Sequence, residues 1–304
     1  MRVFVTGATG FIGSAVVQEL VEAGHDVVGL ARSDEAAAAV TAAGAEVHRG
    51  DIDDLDSLRV GAAGADGVIH TAYKHDFSRM EAAAQTDLRV TEALGAALEG
   101  SGRPLVITTG TALIKPGQVA TEEDSAGPDS VSHPRLGAER LAKAFAERGV
   151  RTSIVRPGAS VHGEGDHGFV PVLIDIARSK GVSGYIGDGC NRWPAVHRLD
   201  AAQLYRLALE NGPAGSVFHA IGDEGVPTRD IGEVIGRHLG IPTVSIGPED
   251  AAEHFGWIGA FFALDAPASS ELTQERLGWK PTHPGLLEDL AAGHYFQEAR
   301  AAAA

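Results

Sequence analysis

A glycine-rich turn at residues 5–13 has the residue types and spacing to bind a phosphate group. It follows a strand-like stretch at 2–4 and leads into a helical pattern at 11–23. Glycine allows positive φ values and close backbone approach, and a helix N-terminus offers free N–H groups to a pyrophosphate. This order predicts a dinucleotide site, with a plain strand-to-helix turn as the alternative. The predicted contacts in the turn are Gly7, Thr9, Gly10, Phe11, Ile12 and Gly13.

The residues after the second and third predicted strands bear on which dinucleotide is bound. A carboxylate after the second strand would accept a hydrogen bond from the ribose 2′-hydroxyl of NAD, but Ala31, Arg32 and Ser33 stand there. Arg32 can form charge-assisted hydrogen bonds to a 2′-phosphate and Ser33 can add one, so we predict NADP(H). The alternative for Arg32 is a solvated surface side chain. Asp51 and Ile52 are expected at the adenine, or else as a helix N-cap and a core residue.

A phenol, an amine and an imidazole follow the fourth predicted strand as Tyr73, Lys74 and His75. Tyr73 is expected beside the nicotinamide ribose, where a phenol could give a proton to a carbonyl that receives hydride. A charge on Lys74 or His75 could tune the pKa of Tyr73. The alternative is a helix N-terminus capped by Asp76. Tyr73 is therefore a candidate catalytic residue.

Short apolar strands alternate with helical patterns through the first half of the chain. This alternation predicts an α/β fold with a doubly wound parallel sheet, which binds ligands at the carboxyl ends of its strands, at the switch between strands one and four. The later predicted strands lie at 25–30, 45–48, 67–70, 104–108 and 152–155, and the later helices at 34–43, 55–60, 77–98 and 134–148.

The regular alternation weakens after residue 160. Helices are predicted at 169–180, 199–210, 229–239, 272–277 and 286–295, a strand at 217–221, and a glycine-rich loop with aromatic residues at 184–193. We expect residues 1–160 to form the dinucleotide-binding core, with the strand at 216–221 returning to its sheet. Residues 161–304 should form mainly a smaller substrate-binding lobe that packs with the core as one unit.

Composition limits the classes of partner. The 304 residues carry a formal net charge of −16 and no cluster of Lys or Arg, which argues against nucleic acid and anionic membranes. The lone Cys190 excludes an internal disulfide, and no pair of histidines has helical metal-binding spacing, so we predict no metal. No apolar run approaches the ~20 residues that span a bilayer. We expect a cytoplasmic protein with a small-molecule substrate; Trp257, Phe261 and Phe262 could form a lid, a homodimer surface or core.

Several motifs together resemble the extended short-chain dehydrogenase/reductase family, which includes NAD-dependent epimerases and dehydratases. They lie at 6–13, 50–52, 68–72, 154–157, 161–163, 196–201 and 277–281. The resemblance implies a Rossmann sheet of about seven strands, NAD(P) binding and a substrate lobe from the second half. It also adds Thr71, Ala72 and Pro157 to the expected cofactor contacts.

The same resemblance shows where this chain differs from the family. Members use a Ser or Thr after strand five, a Tyr as proton donor and a Lys four residues later; here Gly110, His133 and Gly137 take those positions. The chain thus resembles an atypical branch that lacks the Tyr–Lys pair. His133 becomes a candidate proton donor, or else a helix-entry residue. The flanking Thr109 and Thr111 could hold the substrate oxygen, or else bond to backbone.

The remaining candidates concern the substrate. Arg135 could bind a substrate anion or polarise a carbonyl. By the resemblance of their loops, further residues are expected to face the substrate, with packing of the lobe as the alternative: His162, His167, Phe169, Trp193 and His197. The sequence predicts an NADP-dependent oxidoreductase that reduces a carbonyl, or a related double bond, of a small, partly apolar molecule. The alternatives are a non-catalytic NADP-binding redox sensor, and an epimerase or dehydratase.

Overall fold

A computed structural model describes residues 1–75, 79–125 and 135–297 of the chain. The strands are β1 (Arg2–Thr6), β2 (Asp26–Ala31), β3 (Glu46–Arg49), β4 (Gly67–His70), β5 (Pro104–Thr108), β6 (Arg151–Pro157), β7 (Ser160–His162), β8 (Ser183–Ile186), β9 (Arg192–His197), β10 (Ser216–Ala220), β11 (Asp223–Pro227) and β12 (Thr243–Ile246). The helices are α1 (Phe11–Glu22), α2 (Asp34–Ala42), α3 (Leu55–Ala63), α4 (Met80–Leu98), α5 (Leu136–Glu147), α6 (Phe169–Lys180), α7 (Arg198–Asn211), α8 (Thr228–Leu239), α9 (Ala251–Phe255), α10 (Gly259–Phe262), α11 (Glu271–Leu277) and α12 (Leu286–Ala291).

Seven parallel strands form the main sheet, in the order β10-β6-β5-β4-β1-β2-β3. The order reverses between β1 and β4, which register Thr6 against His70. Because chain direction is shared, the carboxyl ends of all these strands meet at one edge, and the crevice at this reversal is where such sheets bind ligands. The predicted Rossmann-type fold with about seven parallel strands is confirmed.

Helices cover both faces of this sheet, so its inner strands are buried and mostly apolar. Along β1, Val3 and Val5 face one core with α1 and α7, while Phe4 faces a second core with α3, α4 and α5. Helix α4 lies close to α5, and a Cβ at Gly95 would come within 2.4 Å of the Phe145 ring. The absence of a side chain at Gly95 thus allows α4 to pack closely against α5.

The second half adds two small sheets, β11-β9-β7 and β12-β8. The prediction of a loop at 184–193 was therefore wrong at both ends, because 184–186 lie in β8 and 192–193 lie in β9, and only 187–191 connect them. The glycines of this stretch suggested a loop, whereas its strands form by pairing with distant segments, such as Gly184 with Val244 in β12. These sheets, α6, α8–α10 and α12 surround a third core that includes Trp193 and Phe262. Within the described ranges, no helix is long and apolar enough to cross a membrane.

Candidate active site

The glycine turn after β1 has a backbone that side chains would block. Gly7 has φ +71°, and a Cβ there would lie 2.7 Å from the Ala72 amide nitrogen. A Cβ at Gly13 would lie 1.9 Å from the Gly7 carbonyl oxygen. Gly10 begins α1 without a side-chain hydrogen bond to cap it. The first N–H groups of α1 and the open backbone form a cradle that fits a dinucleotide pyrophosphate.

A buried histidine joins the glycine turn to α4. The Thr6 hydroxyl lies 2.6 Å from His70 Nδ1, and His70 Nε2 lies 3.1 Å from an Asp87 oxygen. Burial by itself would raise the pKa of the Asp87 carboxyl, but the Arg135 charge and the His70 hydrogen bond hold it below its usual value. The ionised carboxylate only accepts hydrogen bonds, so His70 donates to Asp87 from Nε2. Thr71 also donates to the Thr6 carbonyl, at 2.8 Å.

Asp87 also holds an arginine. Arg135, at the entrance to α5, donates from Nε and Nη2 to the two Asp87 oxygens at 3.2 and 3.1 Å. Its Nη1 donates to the Thr109 carbonyl at 3.3 Å. The guanidinium carbon then lies 4.3 Å from the centre of the Tyr73 ring. Helix α4 and the end of β5 therefore place a fixed cation on the face of this phenol.

The charges around Tyr73 differ from those expected. Lys74 forms an exposed ion pair with Asp53 at 2.7 Å, so the cation on the phenol ring is Arg135 instead. The His75 ring meets the Tyr73 ring edge to face at 5.2 Å. Burial raises the pKa of the Tyr73 phenol, and the Arg135 charge opposes that rise. The Tyr73 phenol is therefore protonated near neutral pH, and a phenolate formed there would be stabilised by Arg135.

The two candidate threonines after β5 direct their hydroxyls inward. Thr109 donates to Glu139 at 2.7 Å, and Glu139 receives two hydrogen bonds from Arg156 at 2.9 and 2.6 Å. The Thr111 hydroxyl approaches the Pro157 carbonyl at 3.4 Å. Both threonines are buried. In this arrangement their hydroxyls stabilise the ends of β5 and β6.

The positions of the family's Tyr–Lys pair are only partly described. His133 lies outside the described residues. Gly137 is exposed in the first turn of α5, and the nearest atom to a Cβ there would be a Leu88 methyl at 3.5 Å. A side chain would fit, yet none is present. Two residues before Gly137, Arg135 provides a cation that lies on the Tyr73 ring.

Arg32 lies in solvent at the edge of the sheet where the adenosine of a dinucleotide is expected. Arg32 is exposed immediately after β2, and within the described residues its guanidinium has no hydrogen-bond or ion-pair partner. Ser33 caps α2 by accepting the Ala36 N–H at 3.1 Å. Its hydroxyl proton remains available to an anion beside Arg32.

Asp51 and Ile52 lie at the neighbouring edge, after β3. Asp51 accepts the Asp53 N–H at 3.0 Å, while the N-cap of α3 is Asp54. Ile52 packs partly against the second core and lines a recess together with Ala72. Both residues therefore face the edge where an adenine would lie.

Two of the lobe histidines form a compact cluster. His162 is fully buried with Nδ1 2.9 Å from Asp289, and its ring meets the His197 ring edge to face at 5.4 Å. His197 stacks on His283 at 4.7 Å. Burial, with the charges of His162 and His283, lowers the pKa of His197 to about 4, so it is neutral near pH 7. In the described part of the chain, no group of His, Cys, Asp and Glu is arranged to hold a metal ion.

The other lobe candidates lie along one wall. His167 meets the Phe11 ring of the glycine turn at 5.8 Å, which brings the α6 entrance to the crevice. Phe169 follows and lies 5.6 Å from Trp193 and 5.7 Å from Phe261. Trp193 is 1% exposed and donates to the Phe261 carbonyl, so it supports this wall from within the core.

Sequence reasoning missed the buried polar residues that connect these parts, above all Asp87. A signal was present, because Asp87 occupies the apolar face of α4 at helical spacing with Ala83, Val90 and Leu94, all of which are buried. A carboxylate on such a face requires partners. Which partners it finds depends on the packing of α4 against β5 and α5.

Comparison with known proteins agrees with this architecture. The model of the NAD dependent epimerase/dehydratase family matches residues 3–220. The chain belongs to this family. The resemblance to extended short-chain dehydrogenases/reductases is thereby confirmed, and the family comprises epimerases, dehydratases and reductases that use NAD(P).

Relatives within the family carry different activities. An uncharacterized protein of Schizosaccharomyces pombe is 52% identical over 97% of this chain and 100% of its own length. A 4-hydroxy-2-methyl-3-oxo-4-farnesyl-3,4-dihydroquinoline-1-oxide ketoreductase of Stigmatella aurantiaca is 30% identical over 72% of this chain and 67% of its own. A Streptomyces venezuelae dTDP-glucose 4,6-dehydratase, solved with NAD, has a TM-score of 0.78 at 22% identity and covers 99% of this chain and 98% of its own, which shows a shared fold.

Proposed function

We propose that this family member is an NADP(H)-dependent reductase of a carbonyl, or a related double bond, in a small and partly apolar molecule. The observation that carries the proposal is the Arg135 guanidinium on the face of Tyr73. Tyr73 follows Ala72, whose backbone lies against Gly7 of the phosphate cradle. A protonated phenol with a neighbouring cation would thus lie close to the bound cofactor, where it could give a proton to the substrate.

The cofactor would be held by the cradle at Gly7, Gly10 and Gly13. Arg32 and the Ser33 hydroxyl would bind a ribose 2′-phosphate, and Arg32 has no competing partner among the described residues. When bound, the nicotinamide supplies a hydride to the substrate carbon. The protein's own task is then to orient the substrate and to move one proton.

Tyr73 would perform that proton transfer. As the carbonyl carbon gains hydride, its oxygen takes the phenol proton and the product is an alcohol. The phenolate that remains is stabilised by Arg135 until solvent returns a proton. His133 is the other candidate donor from the sequence and stays a prediction.

The substrate would lie between Tyr73 and the lobe, with residues 161–297 as the substrate-binding part. Phe169 and Phe261 give this side an aromatic wall, and the neutral His197 adds no charge. An uncharged, partly apolar molecule suits such a wall. The name of the Stigmatella aurantiaca relative, a ketoreductase of a farnesylated ring compound, points to the same reaction type.

One observation favours a second candidate, a non-catalytic NADP-binding sensor. The Thr109 hydroxyl donates to Glu139, so it does not face a substrate in this conformation. An epimerase or dehydratase is the third candidate, because it belongs to the same family and would use hydride only transiently. Net oxidation of NADPH distinguishes a reductase from both.

The test is to mix the protein with NADPH and a panel of aldehydes, ketones and enones, and to follow the loss of NADPH absorbance. We expect turnover that falls about 100-fold or more in Tyr73→Phe. Tyr185→Phe is the matched control, since Tyr185 also has an arginine on its ring at 5.2 Å but lies in β8. Tight NADPH binding without oxidation on any substrate would favour the sensor, and full activity in Tyr73→Phe would overturn the assignment of the proton donor.

A further inference from the structure

A continuous buried polar chain runs from the glycine turn to Tyr73. It passes from the Thr6 hydroxyl through His70 to Asp87, and from Asp87 to Arg135. Asp87 is 2% exposed, and its carboxylate accepts hydrogen bonds from both neighbours in this chain, His70 and Arg135. Thr6 at the end of β1 and Tyr73 after β4 are thus both connected to the same carboxylate.

The geometry at Asp87 leaves Arg135 little freedom. Two parallel N–H donors meet the two carboxylate oxygens in the arrangement that best fixes a guanidinium plane. A third donor is taken by the Thr109 carbonyl at the end of β5. With these three N–H groups held, the plane of the guanidinium is fixed, and one of its flat faces lies on Tyr73.

We propose that Asp87 is a positioning residue that holds the Arg135 guanidinium on the Tyr73 ring, so that a cation reaches the proton donor although Gly137 supplies none. Through His70, the same carboxylate connects this cation to the side chain of Thr6, which directly precedes Gly7 of the phosphate cradle. The proposal deepens the proposed function and rests on it for the role of Tyr73 in turnover. The contact between Asp87 and Arg135 does not depend on the proposed function.

The sign of the Tyr73 response separates positioning from simple charge. The groups that act on Tyr73 are Arg135 and Asp87, with the His75 ring at its edge. The Asp87 charge by itself raises the pKa of Tyr73, so removal of that charge with Arg135 still in place would lower this pKa. If Asp87 positions Arg135, its removal frees the guanidinium, and the pKa of Tyr73 rises instead.

The experiment titrates Tyr73 in the full-length protein by NMR of 13C-labelled tyrosine rings, with Tyr73→Phe to assign its signal. We expect Asp87→Asn to raise the pKa of Tyr73, Arg135→Gln to raise it likewise, and the double variant to show no further rise. Asp53→Asn is the matched control, because it removes a carboxylate from the exposed Lys74 pair beside Tyr73. A lowered or unchanged pKa in Asp87→Asn would overturn the proposal.

A folding defect is handled by a second variant. Asp87→Glu keeps the charge and can reach Arg135, so it should restore the wild-type titration in part, and circular dichroism verifies that each variant is folded. With a substrate in hand, Asp87→Asn should lower kcat about tenfold with little change in KM, and shift the pH profile in the direction of the NMR titration. Titration shifts without turnover in the wild type would uphold the positioning role and sink the reductase function.

Discussion

Glu139 and Arg156 form a two-pronged ion pair at the carboxyl ends of β5 and β6, at 2.9 and 2.6 Å, with both residues at most 2% exposed. The pair also receives the Thr109 hydroxyl. It thus connects the arginine–proline motif at 156–157 to the loop that precedes the crevice. Through Glu139, Arg156 of this motif therefore helps to fix the position of Thr109 at the end of β5.

Breaking this pair should destabilise the protein strongly. Glu139→Gln leaves the Arg156 charge buried without its partner, so we expect a loss of about 3–5 kcal/mol in the free energy of unfolding. Urea denaturation measures it. The control is Glu99→Gln, which breaks an exposed pair with Arg148 and should cost under about 1 kcal/mol. Equal losses in the two variants would contradict the structural role given to Glu139.

Arg32 should decide the choice of cofactor. Arg32→Ala removes the charge-assisted bonds to a 2′-phosphate, so the Kd for NADPH should rise about 10- to 100-fold while that for NADH changes little. Fluorescence titration with both cofactors measures this. Arg59→Ala, on the exposed face of α3 and paired with Asp56, is the control and should leave both constants unchanged. Equal weakening of the two cofactors would show that Arg32 does not touch the 2′-phosphate.

Gly13 should tolerate no side chain. In Gly13→Ala the new methyl would collide with the Gly7 carbonyl, which is backbone and cannot rotate away. The turn must shift, and NADPH affinity should fall at least about tenfold. Gly64→Ala is a control in which the nearest atom lies 3.5 Å away, so calorimetric binding should match the wild type. Unaltered binding in Gly13→Ala would mean that the cradle is not the pyrophosphate site.

Stability should decrease as the pH falls below about 6.5. Burial lowers the pKa of His219 from 6.5 to about 4, and it and His197 are neutral in the folded protein. Between about 6.5 and 4 the unfolded chain binds more protons than the folded one, so the free energy of unfolding falls as pH is lowered. The contribution of these two histidines to the free energy of unfolding should be constant above pH 7 and change no further below pH 4.

Urea denaturation from pH 8 to pH 4 measures this slope. For the fully buried His219 the expected loss is roughly 2–3 kcal/mol. His219→Gln and His197→Gln should each flatten the curve while leaving its high-pH plateau lower or unchanged. A wild-type curve that stays flat through this range would show that neither histidine is held neutral.

The tertiary structure corrected the sequence at particular residues. Lys74 directly follows Tyr73 and was a natural choice for the charge beside it, yet the side chain turns to Asp53. The aromatic residues near the C-terminus also separate, because Phe262 is 1% exposed in the lobe core whereas Trp257 is 47% exposed. Periodicity could not divide them, since both lie in short helical turns whose orientation depends on what they pack against.

The sequence by itself determined the phosphate cradle, the parallel sheet and the family. These features rest on local constraints: a glycine where φ is positive, apolar runs of strand length, and turn residues between them. Only the tertiary structure decided that Arg135 is the cation on Tyr73 and that Asp87 holds it. Asp87 and Arg135 are 48 residues apart, and their contact exists because α4 packs against both β5 and α5. Such contacts follow from the packing of whole elements, which no local pattern contains.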